Sequence, residues 1–173
     1  MRIYLIGYMA SGKSNLGHQL AEKLGFSFFD LDQMFEERFR ISVLDFFEKY
    51  DEEGFRKIEQ SLLHETRTFN DMVISTGGGT PCYFDNMHVI RESGISLYLH
   101  WTIPSLVERL KHVKRKRPLL KDIPAAELEN KVTKHLTERE FYYKQADYTI
   151  DMDNLDWEAL LGWIRKRLLQ PNP

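Results

Sequence analysis

Cysteine is nearly missing from this chain. Cys82 stands alone among 173 residues, which excludes an intramolecular disulfide and fits a reducing compartment. Directly after Pro81, it reads as a packed thiol rather than a nucleophile. An excess of one charge is missing too: 24 Lys and Arg face 26 Asp and Glu, for a net charge of −2. A protein that grips nucleic acid carries a cationic face, and no such footprint is legible here. No apolar run approaches the length of a membrane span. Residues 1–6 enter a strand pattern at once, where a signal peptide would place a leader. Repeats and low-complexity linkers are also lacking. These absences predict a cytoplasmic protein with no membrane or nucleic-acid partner, and the working expectation is a monomer. The length suits a single domain over residues 1–173 with a core of its own.

Glycine is sparse, at ten residues, but its placement is informative. Gly7 to Ser14 reads G-x-x-x-x-G-K-S, the phosphate-binding P-loop. Before it, residues 1–6 are apolar and β-branched enough for a buried strand. After it, Leu16, Leu20 and Leu24 fall at helical spacing. Strand, glycine loop and helix form the context that this motif requires. A polyphosphate is multiply anionic, and the loop wraps it with N–H groups at the positive end of a helix dipole. Lys13 is expected to reach the β- and γ-phosphates, and the Ser14 hydroxyl to ligate Mg²⁺.

Further along, strands alternate with helices. This pattern predicts an α/β fold of three layers, α/β/α, around a central parallel sheet. Gly25 closes the first helix. Phe26 to Phe29 is a second strand that runs into Asp30-Leu31-Asp32, and a strand end is where such sheets place ligands. Two carboxylates at i and i+2 can face one side and serve a metal's water shell and a substrate hydroxyl. The alternative is that Asp32 caps the helix beginning at Gln33. Residues from Phe55 onward are helical, with Phe55, Ile58, Leu62 and Leu63 on one stripe. Arg56 lies beside that stripe, where an arginine is ordinarily solvated. Glu59 can pair with Arg56 or with Arg38. Met72 to Thr76 is a third strand that ends in Gly77, Gly78 and Gly79, either a loop open to a ligand or a tight turn. A helix over residues 84–93, a strand over 95–100 and a helix from Pro104 follow. Then come a helix over 128–146, a strand over 148–151 and an amphipathic helix over 157–169.

Lys111 to Leu120 is the one concentrated charge run. Five of its ten residues are Lys or Arg, and His112 can add a charge at lower pH. Such a run serves either as a nucleic-acid or membrane patch or as a lid that closes over nucleotide phosphates. The P-loop upstream favours a lid, over about residues 111–122.

Taken together, these segments resemble the shikimate kinase family over essentially the whole chain. The resemblance rests on the P-loop, Asp30 and Asp32, the Phe55-Arg56…Glu59 segment, Gly77 to Gly79, Arg117-Pro118-Leu119-Leu120, and Arg139 followed by Tyr142 or Tyr143, Ala146 and Asp147. It implies a P-loop NTPase fold of the nucleoside monophosphate kinase type. It implies transfer of the γ-phosphoryl of ATP to the 3-hydroxyl of shikimate, with Mg²⁺, in aromatic amino acid biosynthesis. By the resemblance, Gly7, Ala10, Ser11, Gly12, Lys13, Ser14, Asn15 and Arg117 hold the nucleotide, and Ser14 and Asp30 serve the metal. Asp32, Arg56, Gly77, Gly78, Gly79 and Arg139 bind shikimate within a region of about residues 30–60 and beyond. Lys13, Asp32 and Arg117 act in the chemistry. The chain departs from the pattern at Ala10 and Asn15, where many members carry Gly and Thr. The segment Asp151 to Asp156 lacks the usual proline near the adenine, and three readings stay open for the arginine that stacks there: Arg109, Arg115 or none. Other readings of the same residues are a gluconate or nucleoside monophosphate kinase, since Arg56 and Arg139 suit any carboxylate or phosphate, and a catalytically silent nucleotide-binding module.

Overall fold

The structure is a computed structural model that describes residues 1–112 and 127–169. Five strands form one sheet: β1 Arg2–Ile6, β2 Ser27–Asp30, β3 Met72–Ser75, β4 Ile95–His100 and β5 Tyr148–Asp151. Their order is β2-β3-β1-β4-β5, and every pairing is parallel. Residue alternation in β1 sends Tyr4 and Ile6 to one face and Ile3 and Leu5 to the other, all of them fully buried. The first face packs against α2 Leu31–Phe39, α4 Glu52–Glu65, α5 Asn86–Ser93, α6 Ile103–His112 and α7 Leu128–Tyr143. The second packs against α1 Lys13–Leu24 and α8 Trp157–Leu168, through Leu16, Leu20, Leu160 and Ile164. A seven-residue helix, α3 Val43–Lys49, joins α2 to α4. The result is the three-layer α/β/α arrangement that the sequence predicts.

Local signals set most boundaries. Gly25 ends α1 in the left-handed conformation, with its N–H on the carbonyls of Ala21 and Glu22. Ser42, Asp51 and Asp156 cap α3, α4 and α8 through their side chains. The cap of α2 rules out the alternative reading of Asp32 and corrects the helix start. Asp30, not Asp32, accepts from the N–H groups of Asp32 (3.0 Å) and Gln33 (3.3 Å). The helix therefore begins at Leu31, and Asp32 lies in its first turn rather than on an extended segment. A 3₁₀ turn over Thr80–Cys82 intervenes before α5, which starts at Asn86. No helix among the described residues is long and apolar enough to cross a membrane.

The sheet order places the functional groups. Because β1 lies between β3 and β4, the loop after β1 meets both the Gly77–Gly79 loop after β3 and the segment after β4. A Cβ on Gly78 would stand 3.2 Å from the Met9 nitrogen.

Candidate active site

The P-loop leaves β1 at Gly7 and enters α1 at Lys13. Gly12 occupies the N-cap position with φ 91° and has no side chain to cap the helix. The end of α1 thus keeps its positive pole for a ligand. Lys13 is buried, and its Nζ donates to the carbonyls of Gly7 (2.8 Å) and Tyr8 (3.0 Å). The Ser14 hydroxyl donates to Asp30 Oδ2 at 2.7 Å. Ser14 and Asp30, distant in sequence, are therefore in direct contact. The cleft over this loop is lined by Ala10, Gly12, Lys13, Ser14 and Asn15, together with Asp30, Asp32 and Arg109.

A second cleft opens beside the first. Its polar lining is Asp32, Arg56, Glu59, Arg139 and the Gly77–Gly79 loop, and Met9, Val43, Phe47 and Phe55 form an apolar wall. Asp32 lines both clefts.

Arg56 is 5% exposed, not solvated. Its Nη1 donates to Glu59 Oε2 at 2.8 Å, and its Nε and Nη2 donate to Glu52 Oε1 at 3.2 and 3.0 Å. The rings of Tyr83 and Phe55 lie 4.3 and 5.2 Å from its guanidinium carbon. Burial works against the guanidinium charge, but the Glu59 carboxylate and the bonds to both glutamates outweigh it and hold Arg56 ionised. A guanidinium has five N–H donors. Among the described residues, Glu52 and Glu59 engage three, which leaves two for a ligand. Glu59 takes the first of its two predicted partners, while Arg38 pairs instead with Glu65. Arg139, on α7, is likewise buried and lines the same cleft.

The glycine loop fits closely around this pair. A Cβ on Gly79 would lie 2.6 Å from the Arg56 guanidinium, and one on Gly77 would lie 2.5 Å from Glu59 Oε1. Thr80 donates to the same Glu59 oxygen at 2.6 Å. The buried Tyr143 hydroxyl donates to the Gly78 carbonyl and so fixes the loop from behind. Burial pushes the Cys82 thiol up to about 11, which fits a packed residue.

The structure thus brings together Gly7, Ala10, Gly12, Lys13, Ser14, Asn15, Asp30, Asp32, Arg56, Gly77, Gly78, Gly79 and Arg139. Ser11 is fully buried within the loop. Arg117 and Arg115 lie outside the described residues. Of the basic run, Lys111 and His112 end α6, and both pair with Glu108. Sequence reasoning missed Glu52 and Tyr83, which hold Arg56, and Tyr8 and His135, considered below; it named Tyr143 beside Arg139 but not its bond to Gly78. An arginine in a buried helix stripe demands a carboxylate near it, and this signal could have led to Glu52.

A phosphate-binding loop at the carboxyl end of a parallel sheet, facing an arginine-lined cleft across one shared carboxylate, defines a P-loop kinase that phosphorylates a small anionic acceptor. The chain belongs to the shikimate kinase family: the shikimate kinase family model matches residues 9–168. A shikimate kinase of Parabacteroides distasonis is 41% identical over 169 residues, 98% of each chain. The crystal structure of shikimate kinase from Bacteroides thetaiotaomicron is similar at a TM-score of 0.88 and 38% identity, covering 98% of this chain and 99% of that one. Shikimate kinase from Acinetobacter baumannii in complex with shikimate matches at a TM-score of 0.85 and 30% identity, over 98% and 95%.

Proposed function

We propose that this enzyme transfers the γ-phosphoryl of ATP to the 3-hydroxyl of shikimate, yielding shikimate 3-phosphate and ADP, on the route to aromatic amino acids. One observation carries the reading. Two buried arginines, Arg56 and Arg139, face the P-loop cleft across Asp32. In this reading Arg56, through its two remaining N–H groups, and Arg139 clamp the substrate carboxylate, which fixes orientation as well as affinity. The Gly77–Gly79 backbone lines the ring. Asp32 accepts hydrogen bonds from the substrate hydroxyls and takes the proton of the attacking 3-hydroxyl. Lys13 turns from the loop carbonyls to the β- and γ-phosphates, and the uncapped end of α1 receives the phosphate charge. Arg117, which lies outside the described residues, acts on the transferring phosphoryl group in the same reading.

Ser14 and Asp30 would hold Mg²⁺, directly or through water. The fit rests on their chemistry: hydroxyl and carboxylate oxygens in contact beside the phosphate cleft are the hard donors this ion prefers. When bound, Mg²⁺ offsets phosphate charge. We further propose that residues 1–173 act as one kinase unit, a cytoplasmic monomer without nucleic-acid or membrane partners. A coupled assay of ADP release against shikimate, gluconate, AMP and CMP tests the function. Turnover with shikimate alone is expected. Preference for any other acceptor overturns the substrate, and no turnover with any of them overturns catalysis.

A further inference from the structure

The P-loop crest is gripped by two side chains: Trp101, which has no role in the reading above, and Arg109, one of the two arginines that the resemblance places near the adenine. The Trp101 indole Nε1 donates to the Ser11 carbonyl at 2.8 Å, and Arg109 Nε donates to the Ala10 carbonyl at 2.8 Å. The Arg109 guanidinium lies over the Trp101 ring, 4.4 Å from its centroid. Both residues come from the segment after β4, 90 or more positions beyond the loop. The grip falls on a strained place. Ala10 sits at φ 61°, a left-handed conformation that an L side chain disfavours.

Peptide planarity turns this grip into a consequence for the ligand. A carbonyl and the following N–H share one plane and point in opposite directions. Arg109 on the Ala10 carbonyl and the Tyr8 carbonyl on the Ser11 N–H (3.2 Å) fix the first peptide from both sides. Trp101 on the Ser11 carbonyl turns the Gly12 N–H away from the indole. We propose that Trp101 is a positioning residue for phosphoryl transfer: together with Arg109 it braces the P-loop crest, offsets the strain at Ala10 and presents the Gly12 N–H to the nucleotide phosphates. The proposal rests on the P-loop being the ATP site.

Trp101→Phe tests it, because the ring that Arg109 stacks on is kept and only the N–H is lost. Loss of one such bond should weaken ATP binding, by calorimetry and by KM, about three- to tenfold, with the shikimate KM within about twofold. Adding Ala10→Gly, which relieves the left-handed strain, should recover most of the loss in ATP binding. A merely structural tryptophan would move both KM values together and gain no rescue. In the unaltered enzyme the Trp101 indole proton should exchange slowly in nitrogen-15 spectra. Unchanged ATP binding in Trp101→Phe, equal loss for both substrates without rescue, or a freely exchanging indole proton overturns the brace. ATP binding by the unaltered enzyme, and its weakening in Lys13→Met, separately tests the ATP site. If those hold and the tryptophan results fail, only the brace falls.

Discussion

The Tyr8 hydroxyl, in the P-loop, lies 3.0 Å from Nδ1 of His135 on α7. The two rings meet edge to face at 5.5 Å. His135 is one helical turn before Arg139, so this bond joins the P-loop to the helix that carries the buried arginine of the second cleft. Burial pushes the Tyr8 hydroxyl up to about 12. Burial, with Arg139 close by, pushes His135 down to about 4. The pair is therefore neutral at physiological pH.

This neutrality predicts a pH dependence of stability. Free histidine titrates near 6.5. As pH falls from 6.5 toward 4, the unfolded chain binds a proton at His135 that the folded chain refuses. Folding weakens across that window, and below about 4 this contribution stops growing. His135→Gln keeps a partner for Tyr8 but removes the titration. Melting temperatures between about pH 7.5 and about pH 4.5 should fall more steeply for the unaltered protein than for the variant. Parallel curves would show that His135 titrates normally in the fold.

Gly79→Ala places a methyl group against the Arg56 guanidinium, and Arg56→Lys removes the planar fork. Either change should raise the shikimate KM about tenfold or more while ATP affinity stays within a few-fold, the loss of one charge-assisted bond being worth roughly 1.5–3 kcal/mol. Arg56→Ala is a poorer probe, because it strands Glu59 as a buried, unpaired charge at a cost of about 3–5 kcal/mol. Steady-state kinetics with each substrate varied in turn is the check. A matching loss for ATP would assign these positions to folding rather than to acceptor binding.

Asp32→Asn is nearly isosteric and removes the carboxylate that lines both clefts. If Asp32 accepts the acceptor proton, kcat should drop about a hundredfold or more, with the ATP dissociation constant little changed. A variant that loses shikimate affinity but keeps kcat would limit Asp32 to binding.

Lys13→Met leaves the loop backbone and removes its cation. Loss of a strong charge-stabilising donor predicts a fall in turnover of at least about a hundredfold. A folded variant with near-normal turnover would exclude Lys13 from phosphoryl transfer.

The parts of this site that could be read from the sequence are those with fixed local spacing. The P-loop declares itself by four positions and its flanking strand and helix. Asp30, Asp32 and Gly77 to Gly79 are marked by their position at strand ends. Arg56 was harder: its neighbours define an apolar stripe, yet Arg56 and Glu59 are themselves on the buried face of α4. Their i, i+3 spacing offered the pair, but not the burial of both partners, which depends on the packing of α4 against the sheet. The alternative that Asp32 caps α2 does not hold, since Asp30 is the cap; a helix start is set by backbone geometry that either aspartate could supply. Trp101 and His135 were illegible for another reason, and Arg109 was named only as a candidate near the adenine, not for its bond to the P-loop. Each meets the P-loop only because β1 sits between β3 and β4, and a strand order is a long-range fact that no local window contains.

The linkage of Arg56, Glu59, Thr80 and Gly79 has a consequence for anyone who wishes to redirect this enzyme. Glu59 answers Arg56 with one oxygen and Thr80 with the other, and the absence of a side chain at Gly79 makes room for the guanidinium. A change at one of these positions leaves a buried charge or a clash at another. Single-site libraries should thus return mostly inactive clones, whatever the new acceptor. Recombining whole segments, residues 52–60 together with 77–83, would keep each arginine with its own counter-charges. A new acceptor specificity is accordingly more accessible by exchanging the two segments as a block than by walking through single replacements.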